Sequence, residues 1–271
     1  MQDNGLIILS PVDLGLAASL VLLLAMLSWQ LKLNIGRRML IAAARSTVQL
    51  LLLGLVLKAL FNAVNPWLVG GLALVMLSVA GYEVMARQKN RLSGIWGYGT
   101  GALSMFLSSF SIALLGLLTL LQPAPWYSPQ YAIPLLGMLL GNTMTGVAVA
   151  LDNLTSQALD KRGQIDARLA LGHSANDAIG DIRRDALRAG LIPIVNAMTT
   201  AGIVSLPGMM TGQILAGSPP MEAAKYQLMI LFLIAAGTGL GSISAVMLAS
   251  RRLFDRRERF CRDRLHASAT R

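Results

Sequence analysis

The run Gly141-Asn142-Thr143-Met144-Thr145-Gly146 sets amide, hydroxyl and thioether groups close together inside an otherwise apolar stretch. Asn and Thr oxygens coordinate cations or bond polar substrates, and the Met144 sulfur is a soft ligand. Asp152 and Asn153 follow at the end of the same stretch. Asn142, Thr145 and Asp152 are spaced by 3 and 7 residues, so a helix carries all three on one face. Small and hydroxyl residues also let membrane helices approach closely. The run therefore reads either as part of a substrate path or as a packing seam.

Two ionisable residues stand inside other apolar stretches, where such groups default to functional hypotheses. Arg45 follows Arg38 by 7 residues, roughly 10 Å along a helix. Glu83 lies near the end of a third apolar block. If their helices are neighbours, the pair forms a substrate or gating site. The plainer alternative is a structural ion pair, or two groups that reach the membrane interface.

A further segment, Ser205-Leu206-Pro207-Gly208-Met209-Met210-Thr211-Gly212-Gln213, should break a helix at Pro207-Gly208. Broken helices in membranes line cavities or lie within protein, and such breaks mark binding sites. At the outer surface the same break is only a loop. Met209 and Met210 offer soft sulfur to a metal, although methionine in such proteins ordinarily fills space.

The elements that carry these residues follow from composition. Of 271 residues, 55% are hydrophobic and 13% charged, with a mean hydropathy of +0.60. Soluble domains carry roughly a quarter charged residues. The apolar blocks predict an all-α polytopic membrane protein with seven spans at about 12–31, 39–60, 66–86, 98–121, 129–151, 189–210 and 226–249. Each is long enough to cross a bilayer, and only helices satisfy their own backbone there. The first block lacks a preceding basic residue and reads as a retained helix.

Basic residues set the direction. Lys32, Arg37, Arg38, Arg87, Lys89, Arg91, six residues within 161–188 and eight after position 250 all fall on one side of the predicted spans. The positive-inside rule makes that side cytoplasmic, with the N-terminus outside and the C-terminus inside. Ser10-Pro11, Asn65-Pro66, Ser128-Pro129 and Ser218-Pro219 each join a good N-cap to a Pro suited to the first helical turn. They precede the spans that begin outside. The net charge of +10 thus reads as a topology signal rather than a nucleic-acid surface.

Residues 1–250 form one predicted permease domain, with a large cytoplasmic loop at 152–188, and 251–271 form a basic cytoplasmic tail. The loop reads as helix, turn, helix. It suits docking of a cytoplasmic partner, or serves as a solvated connector. The lone cysteine, Cys261, forms no intrachain disulfide. The chain contains no P-loop, no His-Glu-x-x-His and no Gly-x-Ser-x-Gly. No nucleophile–base constellation points to an enzyme.

The runs Gly141 to Asp152 and Val204-Ser205-Leu206-Pro207-Gly208-Met209-Met210-Thr211-Gly212-Gln213-Ile214-Leu215-Ala216-Gly217 closely resemble the FetB (YbbM) family of bacterial ABC-type iron-export permeases. Plant relatives of that family are linked to aluminium tolerance. The resemblance extends over nearly the whole chain and is weakest after Arg251. It implies a permease subunit of the inner membrane, a homodimer, and a separate cytoplasmic subunit that binds ATP. This chain itself is expected to bind no cofactor. It also implies a coupling element in the loop, for which Leu169, Ala170, Gly172, His173 and Asp177 are the candidates.

On this reading, ATP hydrolysis on the partner moves the loop and rocks spans five and six. The exported iron or other metal passes Asn142, Thr145 and Asp152, with Glu83 and Arg45 nearby. Glu83, Asp152, Met144, Met209 and Met210 are the weak metal-ligand candidates. A proton-coupled secondary transporter, with Glu83 or Asp152 as proton carrier, and a non-transporting membrane scaffold are the alternatives.

Overall fold

The computed structural model describes residues 10–33, 35–62 and 65–267. Its helices are α1 (Pro11–Gln30), α2 (Gly36–Asn62), α3 (Pro66–Arg87), α4 (Ile95–Met105), α5 (Ser111–Leu115), α6 (Pro129–Asp160), α7 (Arg162–Ala170), α8 (Ala175–Ala178), α9 (Gly180–Thr200), α10 (Gly208–Leu215) and α11 (Pro220–Arg252). Two π-helical segments, π1 (Phe106–Phe110) and π2 (Gly116–Leu121), join α4 and α5 into one rod over Ile95–Leu121. Strands β1 (Asn90–Leu92) and β2 (Leu265–Ala267) pair antiparallel.

The Ser/Asn–Pro signals mark the helix starts closely. Ser10 caps α1 through a capping box. Its hydroxyl accepts from the Asp13 backbone N–H at 3.3 Å, and Asp13 accepts from the Ser10 N–H at 2.8 Å. Helices α3 and α6 begin at Pro66 and Pro129. Helix α11 begins one residue later than expected, at Pro220, with Pro219 at the cap.

The chain divides into two compact units. The first holds α1, α2 and Gly212–Ser218; the second runs over Pro66–Thr211 and resumes at Pro219. In the first unit α1 and α2 form a hairpin. A Cβ on Gly36 would lie 2.8 Å from the Ala25 carbonyl oxygen, so only glycine permits that approach of the two backbones.

In the second unit, close contacts fix the helix directions. Gly81 abuts Ala102, and Gly101 abuts Val84, so α3 and α4 are antiparallel. Gly137 abuts Met76, and Lys89 bonds Asp152, so α3 and α6 are parallel. Gly237 lies against Leu139, and Gly241 against Thr143 and Val147, so α6 and α11 are also parallel. Helix α9 runs against them. Lys161 pairs with Asp185 at 4.0 Å, while Gly190 meets Gly146 and Ala150. The core of this unit is built of Leu139, Leu151, Leu154, Ile230, Val147 and Val246, each at most 2% exposed.

Six helical segments among the described residues are long and apolar enough to cross a membrane: Pro11–Gln30, Gly36–Asn62, Pro66–Arg87, Ile95–Leu121, Pro129–Asp160 and Pro220–Arg252. The chain is a polytopic helical membrane protein. The expected span at 189–210 is not one helix. Its region is divided among the second half of α9, an irregular stretch at 201–207 and the start of α10. Helix α9 begins instead at Gly180, and Asp181, Arg183, Arg184, Asp185 and Arg188 occupy its first turns. That charge removes it from the apolar class.

The short sheet departs from the all-helical expectation. It forms because residues following α11 return alongside the α3–α4 connection. The Ser93 N–H donates to the Arg264 carbonyl at 2.9 Å, Arg264 Nη1 donates to the carbonyls of Arg252 and Phe254, and Leu253 is fully buried. The basic residues of 87–91, 161–188 and 251–264 thereby gather at one end of this unit.

Candidate functional site

At the basic end, α3 and α6 enclose a cavity of about 210 Å³ lined by Arg87, Thr145, Ala148, Val149, Asp152 and Asn153. Of the five predicted path residues, Asn142, Thr145, Asp152, Glu83 and Arg45, two line it, Thr145 and Asp152. Asp152 Oδ1 accepts from the backbone N–H of Lys89 at 2.6 Å, which ties the end of α3 to α6. Arg87 Nε stands 3.9 Å from Glu83 Oε2. The site therefore combines carboxylate, guanidinium, amide and hydroxyl groups at the edge of the apolar region.

The remaining polar atoms form a short relay along α6. Gln157 Nε2 donates to Asn153 Oδ1 at 2.6 Å, and Lys161 Nζ donates to Gln157 Oε1 at 2.6 Å. Thr155 donates to the Asn90 carbonyl at 2.8 Å and holds β1 against the helix. Higher on the exposed face, Asn142 Nδ2 donates to the Met138 carbonyl at 2.8 Å, and Thr145 Oγ1 to that of Gly141 at 3.1 Å. Asn142 is exposed, Thr145 and Met144 are half-buried, and Asn142 does not line the cavity. Arg45 lies in α2, in the first unit, whereas Glu83 belongs to the second.

The 152–188 region contains the end of α6, then α7, α8 and the start of α9. Helix α7 ends in a Schellman cap. Gly172 takes φ +86°, its N–H donates to the Leu169 carbonyl at 3.0 Å, and the His173 N–H to that of Arg168 at 3.1 Å. Ala170, Leu171, Gly172, His173 and Asp177 are exposed and Leu169 is half-buried. Leu171, within the same stretch, is 80% exposed at the tip. Asp177 and Ser174 are engaged in capping α8.

Behind this tip, Asp181 receives hydrogen bonds from Arg168 at 2.7 Å and from Arg184 at 2.5 Å. These bonds, that of Arg168 foremost, hold its carboxyl below the ordinary carboxylate value. The Ala175 N–H donates to Glu258 at 3.0 Å, linking α8 to the segment after α11.

The break in the chain is wider than Pro207-Gly208. Helix α9 stops at Thr200, Gly202 takes φ +81°, and α10 begins at Gly208 with the Pro207 carbonyl accepting from Thr211. Ile203 and Val204 are 88% and 80% exposed within it. Met209 and Met210 are half-buried. Among the described residues, no group of three or more His, Cys, Asp or Glu side chains is placed to hold a metal ion.

The described Uncharacterised protein family (UPF0014) matches over residues 11–254. A UPF0014 membrane protein of Synechocystis is 37% identical over 260 residues, covering 95% of this chain and 98% of that relative. The protein named Probable iron export permease protein FetB, from Escherichia coli, is 32% identical over 250 residues, covering 90% of this chain and 92% of its own. Protein ALUMINUM SENSITIVE 3 of Arabidopsis thaliana is 33% identical over 232 residues, covering 86% of this chain and 83% of its own. No solved structure matches the chain.

Proposed function

From the premise that the chain belongs to the UPF0014 family, we propose that it is the membrane-embedded permease subunit of an ABC-type exporter of iron or another metal ion. The observation that carries this reading is the likeness to FetB over 92% of the length of that protein. The cavity at Arg87, Thr145 and Asp152 agrees with it. Its Asp152 carboxylate and neutral oxygens attract a cation, the opposing Arg87 charge is offset by Glu83, and the paucity of further ligands among the described residues lets the cation leave, as transport demands.

The chain carries no P-loop, so ATP is hydrolysed on a separate cytoplasmic subunit. The exposed tip around Leu171, Gly172 and His173 is where that subunit docks. A homodimer of permeases in the bacterial plasma membrane completes the assembly. The chain crosses seven times, with the N-terminus outside. Because α6 and α11 run parallel, the chain returns across the bilayer between them, and within the second unit the antiparallel α9 makes that return.

The test is to purify the chain with its cognate ATPase, reconstitute both in liposomes and measure ATP hydrolysis with and without ferrous and other metal ions. Metal-stimulated hydrolysis that disappears with Leu171→Asp supports the reading. An intact assembly that no metal stimulates overturns metal export.

A further inference from the structure

Hydroxyl groups in membrane helices ordinarily donate to a carbonyl one turn earlier, and most in this chain do so. Ser78 bonds Leu74, Thr119 bonds Leu115, Thr145 bonds Gly141 and Thr199 bonds Val195. Among the described residues of the second unit, five buried hydroxyls have no partner: Ser104, Ser109, Thr143, Thr238 and Ser242. All five are at most 2% exposed. They come from α4, π1, α6 and α11, and the close contacts gather the α6 and α11 members at one glycine-lined junction.

A Cβ on Gly241 would lie 2.5 Å from Thr143 Cγ2 and 2.8 Å from Ser108 Oγ. One on Gly146 would lie 2.5 Å from Thr238 Cγ2 and 3.1 Å from Ser242 Oγ. Gly237 brings its helix within reach of the Thr143 hydroxyl. Ser108 supplies the third wall from within π1, one turn after Ser104; its hydroxyl makes only a long bond to the Met105 carbonyl at 3.5 Å, and π1 breaks the regular hydrogen-bond ladder there. Such π segments recur at functional sites.

An unpartnered hydroxyl in an apolar interior is costly, and the three at this junction, Thr143, Thr238 and Ser242, destabilise the closed packing that contains them. Residues 95–121, 129–151 and 223–252 contain no Asp or Glu. The junction is therefore neutral and rich in hard oxygens. Hydroxyls both donate and accept, so they replace water around a partly hydrated cation without trapping it by charge.

We infer that the junction of Ser108, Thr143, Thr238 and Ser242 is the occluded cation site of the transporter, closed by the Gly146 and Gly237–Gly241 contacts and opened when α6 and α11 part. This rests on the proposed function and adds to it a translocation site one helix face away from Asp152. The cation arrives at Asp152, then exchanges water for hydroxyls as the seam opens.

The test uses Thr143→Val and Ser242→Ala, which keep the packing and remove the orphan oxygens. Cells expressing the whole transporter are loaded with radioactive ferrous iron and efflux is followed, while thermal midpoints are taken on the purified proteins. Each variant should melt no lower than the parent yet export iron about tenfold more slowly, the scale of a lost hydrogen bond to a charged species. Export at the parental rate overturns the proposal. An independent arm places cysteine at Ser242 (Ser242→Cys, with Cys261→Ser) and applies a small water-soluble thiol reagent to energised membranes. Labelling that requires ATP supports an opening seam, and no labelling in any state of the cycle overturns it. If the parent exports no iron while Ser242→Cys still labels with ATP, the choice of iron fails and the opening site stands.

Discussion

Helix α6 has two polar faces that solve the same problem in opposite ways. On the exposed face, Asn142 and Thr145 turn their hydrogen bonds back onto their own helix, and Asp152 binds the Lys89 backbone. On the buried face, Thr143 has no partner for its hydroxyl, and glycines at 146, 190, 237 and 241 bring neighbouring backbones against it. The first face is satisfied and open; the second is unsatisfied and shut. Polar residues at rest need no rearrangement, whereas orphaned ones gain by movement. Under the proposed function, attraction of the cation belongs to the open face and the conformational step to the closed one.

The sharpest way to break this contrast is to fill the closed face. A Cβ on Gly190 would lie 2.7 Å from the Ala150 Cβ and 2.8 Å from the Gly146 carbonyl oxygen. Gly190→Val should force α6 and α9 apart and destabilise the protein by about 3 kcal/mol, the upper range for overpacking, measured as loss of folded protein on heating. Gly141, on the open face, has nothing within 4 Å of such a Cβ. Gly141→Ala should be neutral or stabilising by up to about 1 kcal/mol, the propensity difference in a helix. Equal melting of the two variants would remove the distinction between the faces.

A second prediction separates charge from architecture on the open face. Asp152→Asn keeps an oxygen for the Lys89 N–H but loses the negative charge. Metal efflux should fall about tenfold or more, as for a lost charge-assisted contact, while the melting temperature changes little. Asp152→Ala should lower both, because the Lys89 N–H loses its acceptor. If Asp152→Asn exports normally, Asp152 is an architectural tie and the open face takes no part in transport.

The two faces were unequally readable in the sequence. Asn142, Thr145 and Asp152 announce themselves because they are rare polar groups at helical spacing in an apolar run, and the structure places the last two in one cavity. The basic end was equally readable, since Arg and Lys clusters obey a rule that does not depend on tertiary packing. Of the closed face, Thr143 and Gly146 stood in a run that also read as a packing seam, whereas its α11 side was missed. Glycine, serine and threonine are compatible with any helix face, and which of them meet depends on the partner helix. The signal that pointed to it was Gly237-Thr238-Gly239-Leu240-Gly241-Ser242, whose four-residue glycine spacing is a helix-packing pattern. The π segments and the early start of α9 had no comparable signature, because both follow from contacts between elements rather than from periodicity.

The smallest effect concerns the helix that covers the closed face. Helix α9 is anchored at its start by Asp181, which bonds Arg168 of α7 and Arg184 of its own next turn. The folded carboxyl titrates below its ordinary value of 3.8 because those guanidinium groups favour the charged form. A depressed folded value means that the stabilisation is fully present above the unfolded value and is lost as pH falls through the folded one. Acid should therefore loosen the α7–α9 anchor only below about pH 4, the ordinary carboxylate range. Asp181→Asn should flatten that part of the stability profile and leave the neutral range nearly unchanged, since exposed ion pairs contribute little. Comparing thermal midpoints of the two proteins between pH 3 and pH 7 measures this, and parallel acid profiles would show that α9 is held over the closed face by its glycine contacts alone.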